Sequence, residues 1–513
     1  MNYLELLQLA APEAIVVAAA LLVLTIALLT GHRSAQAGVS LTRRRTAGGR
    51  HTSTEGAPMG VCVAVAALGL ALAAAAVVRL TIRGAFFHEM LVLSPLNSLF
   101  KLLVLVLAFF TVLLTLAERS LPNDGEYVAI ILLATVGLTL LIGSEELLMI
   151  FIGLELTGLS LYVLTAFDRE SLLSAEAGLK YFLFGSTASA FTLFGLSLIY
   201  GSCGTTGLSA IAAELKGRPL EPLLFLALVM TLIGFAFKIA AAPFHLWAPD
   251  AYQGGPVPSA AFIASGSKVA SFVVLAKILL LSFGSEAGSA LWHGFVAGWQ
   301  PLLAILATLS IVIGNLVALV QKNVRRLLAY SAVAHAGYTL LGLIASGREG
   351  FSATLFYTTI YALTLLGAFG VVAFVRQTSG GDDLADFAGL RWRSPLLAGC
   401  MAVFMLSLAG LPPLAGFFGK FYLFIATMRA GAGHGLLWLV VVALFGSLIS
   451  LYYYLIVLKV IFLDKAPSTA GAQLDFASGD LMSRFVATTL AAAIVLIGVA
   501  PSSVLDPILA ALQ

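Results

Sequence analysis

The chain has 513 residues, of which 60% are hydrophobic and only 10% are charged. A soluble globular protein carries about a quarter charged residues, so this composition excludes a sizeable water-soluble domain. The formal net charge of +3 carries little information by itself, because the distribution of charge along a membrane protein matters more than its sum.

Apolar stretches of about 20 residues, long enough to cross a bilayer, recur from one end of the chain to the other. They predict an all-α polytopic membrane protein with about fourteen transmembrane helices. No basic segment or small-residue cleavage site marks a signal peptide, so we expect the first span to be retained. The predicted spans lie at about 12–30, 58–80, 97–117, 126–143, 147–166, 175–200, 222–242, 256–283, 300–320, 325–345, 352–376, 395–428, 436–462 and 484–507.

Lysine and arginine are divided unevenly between alternate loops. One set of loops holds 16 of them, five in the basic stretch 31–56, and the opposite set holds 6. The richer side should face the cytoplasm. Fourteen spans then place both termini on the outer, non-cytoplasmic side of the membrane.

Several ionisable residues lie inside predicted spans, where each costs roughly 2.5–3.5 kcal/mol at a helix centre and therefore requires a reason. A pair between Glu155 and Lys180 on neighbouring helices would neutralise both charges. Lysine, glutamate and histidine at similar depth are typical of a proton relay. The candidate residues, in chain order, are Glu155, Lys180, Lys238, Lys268, His335 and Lys420, with Tyr338 on nearly the same helix face as His335.

Each candidate also has a structural interpretation. The Glu155–Lys180 pair and the three later lysines could serve packing alone, and His335 could make only a hydrogen bond between helices. His245 and Asp250 could cap a short helix or act as accessory groups. Lys101 and Lys277 lie near predicted span ends, so we expect them to extend to the membrane surface.

Proline interrupts two of the predicted spans. Pro243 follows Lys238 by five residues and removes a backbone N–H, so the helix should break there. Pro412 and Pro413 interrupt the span that carries Lys420. Matching interrupted helices in two halves of a chain point to the working site of a transporter.

Spans four to eight and nine to thirteen would form two repeats. Because each holds an odd number of helices, the two repeats should be inverted in the membrane. The chain then divides into N-terminal spans with a basic cytoplasmic loop, a first repeat, a second repeat and a C-terminal span, at 1–120, 121–285, 286–465 and 466–513. The three cysteines, Cys62, Cys203 and Cys400, form no CxxC pair, which argues against a zinc or iron–sulfur site.

Three long motifs carry a resemblance to a known family. FKIAAAPFHLWAPDAYQGGPVPSAAFIASGSK, KNVRRLLAYSAVAHAGY and LAGLPPLAGFFGKFY resemble the antiporter-like membrane subunits of respiratory complex I, and most of all its subunit N (chain 2) branch. In that family spans five, six and seven carry glutamate, lysine and lysine, which match Glu155, Lys180 and Lys238. Two further residues favour the subunit N branch. Lys268 occupies a position at which antiporter relatives have histidine, and Lys420 occupies one at which subunit M has glutamate.

The resemblance implies a proton-translocating subunit of NADH-quinone oxidoreductase that binds no cofactor itself. NADH, FMN, iron–sulfur clusters and quinone would belong to other subunits, and the partners would be the neighbouring antiporter-like subunit, small membrane subunits and the bilayer, not nucleic acid. Glu155 and Lys180 would be a switchable pair that tunes the central carrier Lys238. Lys268 would be the lateral link and Lys420 the exit. An Mrp-type cation/proton antiporter subunit and a passive scaffold remain alternatives.

Overall fold

The computed structural model describes residues 8–41, 57–118, 123–430, 435–465 and 478–512. Twelve helices in this described part are long and apolar enough to cross a membrane, which confirms the all-α polytopic class. The helices at the seventh and twelfth predicted spans are each divided into two shorter ones. The count of fourteen spans and the inverted repeats remain predictions, and most of the basic stretch 31–56 lies outside the described residues.

Six long helices form the first part of the chain. A short antiparallel hairpin, β1 (Gly84–Phe86) with β2 (Leu91–Leu93), connects the second helix to the third. The third helix begins where the Ser94 hydroxyl accepts the Asn97 N–H and Pro95 occupies the first turn, where its missing N–H does no harm. The helices are α1 (Ala11–Leu41), α2 (Ala57–Arg79), α3 (Pro95–Leu114), α4 (Asp124–Gly143), α5 (Leu147–Thr165) and α6 (Leu172–Cys203).

A broken helix occupies the seventh predicted span. After the short α7 (Leu208–Leu215), α8 (Pro222–Lys238) ends at its lysine, and α9 (Trp247–Gly254) resumes after the Ala242–Pro243 peptide. The protein itself satisfies backbone groups freed by the break, as irregular backbone in a membrane requires. The Trp247 indole donates to the Phe237 carbonyl at 3.0 Å, and the Ala242 N–H donates to the Ser310 hydroxyl at 2.8 Å.

The second half also contains several long helices and one broken helix. The hairpin β3 (Ser289–Leu291) with β4 (Gly294–Val296) follows α10 (Val257–Ser282). The predicted span 395–428 is two helices separated by the Pro412–Pro413 segment. The helices that follow α10 are α11 (Trp299–Ala318), α12 (Val324–Ala345), α13 (Gly347–Ser379), α14 (Pro395–Ala409), α15 (Ala415–Arg429), α16 (Leu437–Phe462), α17 (Ser478–Val499) and α18 (Ser502–Ala511).

The bounds predicted for the last span were wrong. The sequence predicts one helix over 484–507, whereas α17 ends at Val499 and α18 begins at Ser502. Pro501 explains the interruption, because proline disfavours helical backbone at the residue before it. The apolar composition continues across this point, so composition alone does not reveal the end of the helix.

Three helices form the centre of the molecule. In the apolar stretches of α10 and α12, 94% of the residues are buried, and in α13 all of them are. The corresponding values for α1 and α6 are 28% and 33%, so these helices lie at the periphery. Lys268 on α10 and His335 on α12 therefore belong to the most enclosed part of the fold.

Candidate functional site

Lys238 lies at the last position of α8, beside the helix break. Its ammonium group is buried against α5, 3.4 Å from the Leu154 carbonyl oxygen and 5.7 Å from the centre of the Tyr162 ring. Gly158 lies directly beneath it, since a Cβ at that position would be 2.7 Å from Nζ. The C-terminal end of a helix favours a cation, and α5 provides the surface on which this one rests.

Glu155 is the carboxylate associated with Lys238. It accepts a hydrogen bond from the Ser189 hydroxyl of α6 and acts electrostatically on Lys238. The predicted pair between Glu155 and Lys180 was wrong. Ser189 follows Lys180 by nine residues, about 13 Å along the helix at 1.5 Å per residue, so Lys180 lies at a different depth from Glu155.

Lys180 forms its ion pairs elsewhere. Its Nζ lies 2.6 Å from Glu176 on the same helix and 2.8 Å from Asp250 on α9. Asp250 also binds Arg326 of α12 at 2.6 Å, so it connects three helices. It does not cap α9, whose N-cap residue is Leu246 without a side-chain capping bond.

His245 lies in the segment between α8 and α9. Its ring is buried, with its centre 6.2 Å from that of Tyr330. Nδ1 has no hydrogen-bond partner among the described residues. The structure therefore does not give His245 the capping role considered from the sequence, and its accessory role remains a prediction.

Lys268 is the most deeply buried of the lysines. It follows a π-helical segment of α10, Ile263–Ser267, and only 1% of its surface is exposed. Nζ donates to the Ala332 carbonyl of α12 at 2.9 Å and lies 5.5 Å from the centre of the Tyr361 ring. Within the described part of the chain, a carbonyl and an aromatic face, rather than a carboxylate, hold this ammonium group.

His335 connects two tyrosines inside the second half. Its Nδ1 is 2.6 Å from the Tyr357 hydroxyl and its Nε2 is 3.0 Å from the Tyr454 hydroxyl. The ring also acts electrostatically with Lys268 and Lys420. A cavity of about 10 Å³ borders His335, Tyr357 and Ser407, close to the smallest volume that holds one water molecule.

Sequence reasoning missed Tyr357 and Tyr454. The available signal was a hydroxyl-bearing aromatic residue within otherwise apolar helices, with Tyr357 and Tyr361 at a spacing of four that places both on one helix face. Tyr338, which was predicted, donates nothing to His335. The Tyr338 hydroxyl instead accepts a hydrogen bond from the Asn315 amide at 2.9 Å. The centres of the His335 and Tyr338 rings are 5.6 Å apart.

Lys420 lies beside the second helix break. Its buried Nζ donates to the carbonyl of Ala409, the last residue of α14, at 3.0 Å and to the Ser447 hydroxyl at 2.9 Å. It also lies 5.2 Å from the centre of the Tyr338 ring. As with Lys238, the position of the lysine is tied to the interruption of a helix.

Lys101 and Lys277 do not extend to the membrane surface, and that prediction was wrong. Lys101 is buried and pairs with Glu13 at 2.6 Å. Lys277 is buried and lies 3.3 Å from Glu145. The helix ends that carry them pack inside the protein, and carboxylates near the ends of the first and fourth predicted spans supply their partners.

No cluster of three or more histidine, cysteine, aspartate or glutamate side chains suited to a metal ion occurs within the described ranges. The three cysteines are free thiols. The ionisable and hydroxyl side chains described at this site are lysine, histidine, tyrosine and carboxylate groups, which can exchange protons.

A family model, sequence relatives and solved structures all relate this chain to the same group of membrane proteins. Residues 144–450 match the family model described as NADH:quinone oxidoreductase/Mrp antiporter, transmembrane. "NADH-quinone oxidoreductase subunit N 2" of Acidobacterium capsulatum is 46% identical over 443 residues, which cover 84% of this chain and 88% of that protein. A chain of respiratory complex I from Thermus thermophilus superposes with a TM-score of 0.71 at 36% identity, covering 87% of this chain and 94% of that one. A chain of the Mrp complex from Dietzia sp. matches with a TM-score of 0.74 over 97% of this chain and 96% of that one. Because the sequence identity of this pair is 20%, the match to the Mrp chain shows a shared fold and nothing about function.

Proposed function

The chain belongs to the family of NADH-quinone oxidoreductase subunit N, the antiporter-like membrane subunits of complex I, and we propose that it carries protons across the membrane. One observation supports this most directly. The ammonium groups of Lys238, Lys268 and Lys420 are buried, and in the described structure each donates to a carbonyl oxygen instead of pairing with a carboxylate. A buried cation without an ion pair can release its proton at lower cost than a paired one.

The proposed relay passes through the two broken helices. Glu155 tunes Lys238 through its charge, and Lys268 links the first half of the chain to the second. His335 acts electrostatically with both Lys268 and Lys420, so it is suited to pass a proton between them with Tyr357 and Tyr454 as hydrogen-bond partners. Lys420 is the last carrier.

In this proposal Lys180 does not pair directly with Glu155 and acts instead through Asp250. Through Asp250 it is connected to Arg326. A change in charge at Lys180 would therefore act on α9, the half-helix that follows the break, and through it on the environment of Lys238. Asp250 thus becomes an accessory group of the relay.

The subunit would work within a larger assembly. NADH, FMN, iron–sulfur clusters and quinone would be bound by other subunits, and quinone reduction there would supply the driving force. A neighbouring antiporter-like subunit and small membrane subunits would be the partners in a bacterial inner membrane, with both termini periplasmic.

The test is replacement of Lys238 by methionine in the assembled complex. We expect NADH-driven proton uptake into membrane vesicles to fall by about a hundredfold or more, as for loss of one proton-transfer group, with normal amounts of complex on a native gel. Lys459→Met, which removes an exposed lysine of α16, is the matched control and should pump normally. Normal pumping by Lys238→Met would favour the passive scaffold, and sodium-dependent proton exchange without NADH would favour an Mrp-type antiporter.

A further inference from the structure

A second set of buried charges lies at the far end of α10, outside the relay. Lys277 is 2% exposed, donates to the Ile142 carbonyl at 2.7 Å and lies 3.3 Å from Glu145 Oε1. It immediately precedes a π-helical segment, Ile278–Ser282. Lys268, the relay lysine on the same helix, immediately follows another, Ile263–Ser267. Segments of this kind occur frequently at functional sites.

The charges around Lys277 are balanced. Lys101 approaches Gly143 at the end of α4, close enough that a Cβ there would lie 2.6 Å from its Nζ, and it acts electrostatically on Lys277. Glu13 neutralises Lys101 at 2.6 Å, which leaves Glu145 as the counterion of Lys277. The end of α4 adds the negative pole of a helix dipole, so both ammonium groups are stabilised where they lie.

Glu145 connects this buried lysine to the surface. The side chain of Glu145 is 23% exposed, whereas that of Lys277 is 2% exposed. Glu145 lies in the turn before α5, and Asp250 and Lys180 lie near the turn after it. The 19 residues of α5 span about 28 Å at 1.5 Å per residue. Glu145 therefore lies at the membrane face opposite to that of Asp250 and Lys180.

We propose that Lys277 and Glu145 form a proton-exchange site between Lys268 and the water at the turn between α4 and α5. The Lys277 ammonium gives a proton to the Glu145 carboxylate, so that an N–H bond breaks, an O–H bond forms, and a neutral amine and acid result. The acid then releases the proton to water and the amine takes another from the interior. Both groups return to their starting state after one proton has passed, in either direction.

Buried hydroxyl groups lie in the interval between the two lysines. Lys268 and Lys277 are nine residues apart, about 13 Å along α10, so a proton needs an intermediate position. The Leu138 side chain of α4 lies near Gly266, and the Lys277 ammonium reaches the Ile142 carbonyl of the same helix. Thr139, between these two positions on α4, and Ser271, between the two lysines on α10, are both buried.

This inference rests on the proposed function, and the experiment separates the two. Glu145→Gln and Lys277→Met are made in the complete complex, with Lys238→Met in parallel and Glu214→Gln, an exposed glutamate of α7, as the control. Proton uptake is measured per NADH oxidised and per assembled complex in vesicles. We expect both variants to lose about a hundredfold or more in pumping, Glu145→Asp to restore part of it, and Glu214→Gln to pump normally.

Normal pumping by Glu145→Gln overturns this inference whatever Lys277→Met does. Glutamine has the same shape and lies at a partly exposed position, so Glu145→Gln decides the question even if Lys277→Met fails to assemble. If Lys238→Met is inactive while Glu145→Gln pumps normally, only the exchange site is disproved. If Lys238→Met pumps normally, the proposed relay itself fails.

Discussion

At the scale of single residues, the site is distinguished by how its lysines are held. Lys101 and Lys277 pair with carboxylates, whereas Lys238, Lys268 and Lys420 lie against carbonyl oxygens and aromatic rings. Removing a partner from a buried ion pair leaves an uncompensated charge. A lysine held by dipoles and ring faces can lose its proton without leaving a paired carboxylate uncompensated. Lys277 differs from these proposed carriers, because it can lose its proton only by passing it to its partner Glu145.

Gly158 provides the sharpest residue-scale prediction. In Gly158→Ala the new Cβ would meet Lys238 Nζ at 2.7 Å and the Tyr162 hydroxyl at 3.2 Å, so the ammonium group must move. A displacement of about 1 Å in a reacting group can cost on the order of a hundredfold in rate. We expect NADH-driven pumping to fall by about ten- to a hundredfold.

Folding should tolerate this change, because the displaced atom is the flexible end of a side chain and alanine favours a helix over glycine by about 1 kcal/mol. Gly201→Ala is the matched control, since nothing lies within 4 Å of a Cβ on this α6 glycine. If Gly158→Ala and Gly201→Ala pump equally well, the position of the Lys238 ammonium does not limit proton transfer.

At the scale of helices, the sequence predicts where most membrane helices lie. The fifth span was expected at 147–166 and forms Leu147–Thr165, and the tenth was expected at 325–345 and forms Val324–Ala345. The length of an apolar run determines such helices. Proline revealed the break after Lys238 because its effect on the backbone is local, whereas the separation of α17 from α18 was missed although Pro501 marks it.

Side-chain pairing could not be predicted in the same way. The sequence places Glu155 and Lys180 on neighbouring helices, but which residues face each other depends on the rotation and depth of both helices. Those quantities are set by packing with a third element. Here α9 supplies Asp250 for Lys180, and α6 supplies Ser189 for Glu155. The partner of Lys277 was missed for the same reason.

The packing of α13 against α14 gives a helix-scale prediction. In Gly367→Ala a Cβ would lie 2.2 Å from the ring of Phe404, which is fully buried. Overpacking typically costs about 1–3 kcal/mol, and a rigid buried ring cannot bend away as a flexible side chain can. We expect a lower thermal midpoint for the purified complex. Gly399→Ala on α14, where the added Cβ meets nothing within 4 Å, should leave the midpoint unchanged, and equal midpoints would show that the interface adapts.

At the scale of the whole molecule, the proposed carriers follow the most enclosed part of the fold. The buried helices α10 and α12 carry Lys268 and His335, and the two broken helices place Lys238 and Lys420 on either side of them. Helices α1 and α2 lie outside this arrangement, whereas α3 packs against α10 and α13 as well as α4. Glu13, Lys101, Glu145 and Lys277 gather at the end of α4, so charge as well as apolar packing fixes the N-terminal helices to the remainder of the protein.

A double-variant cycle on Glu13 and Lys101 tests that attachment. Their side chains are 7% and 4% exposed, so Lys101→Met alone leaves a buried anion and should cost about 3–5 kcal/mol. The combined Glu13→Leu and Lys101→Met variant removes both charges, and well-packed apolar replacements of a buried pair are often neutral or stabilising. We therefore expect little assembled complex on a native gel for Lys101→Met and near-normal amounts for the double variant. Equal assembly of the single and double variants would show that apolar packing, without the ion pair, attaches these helices.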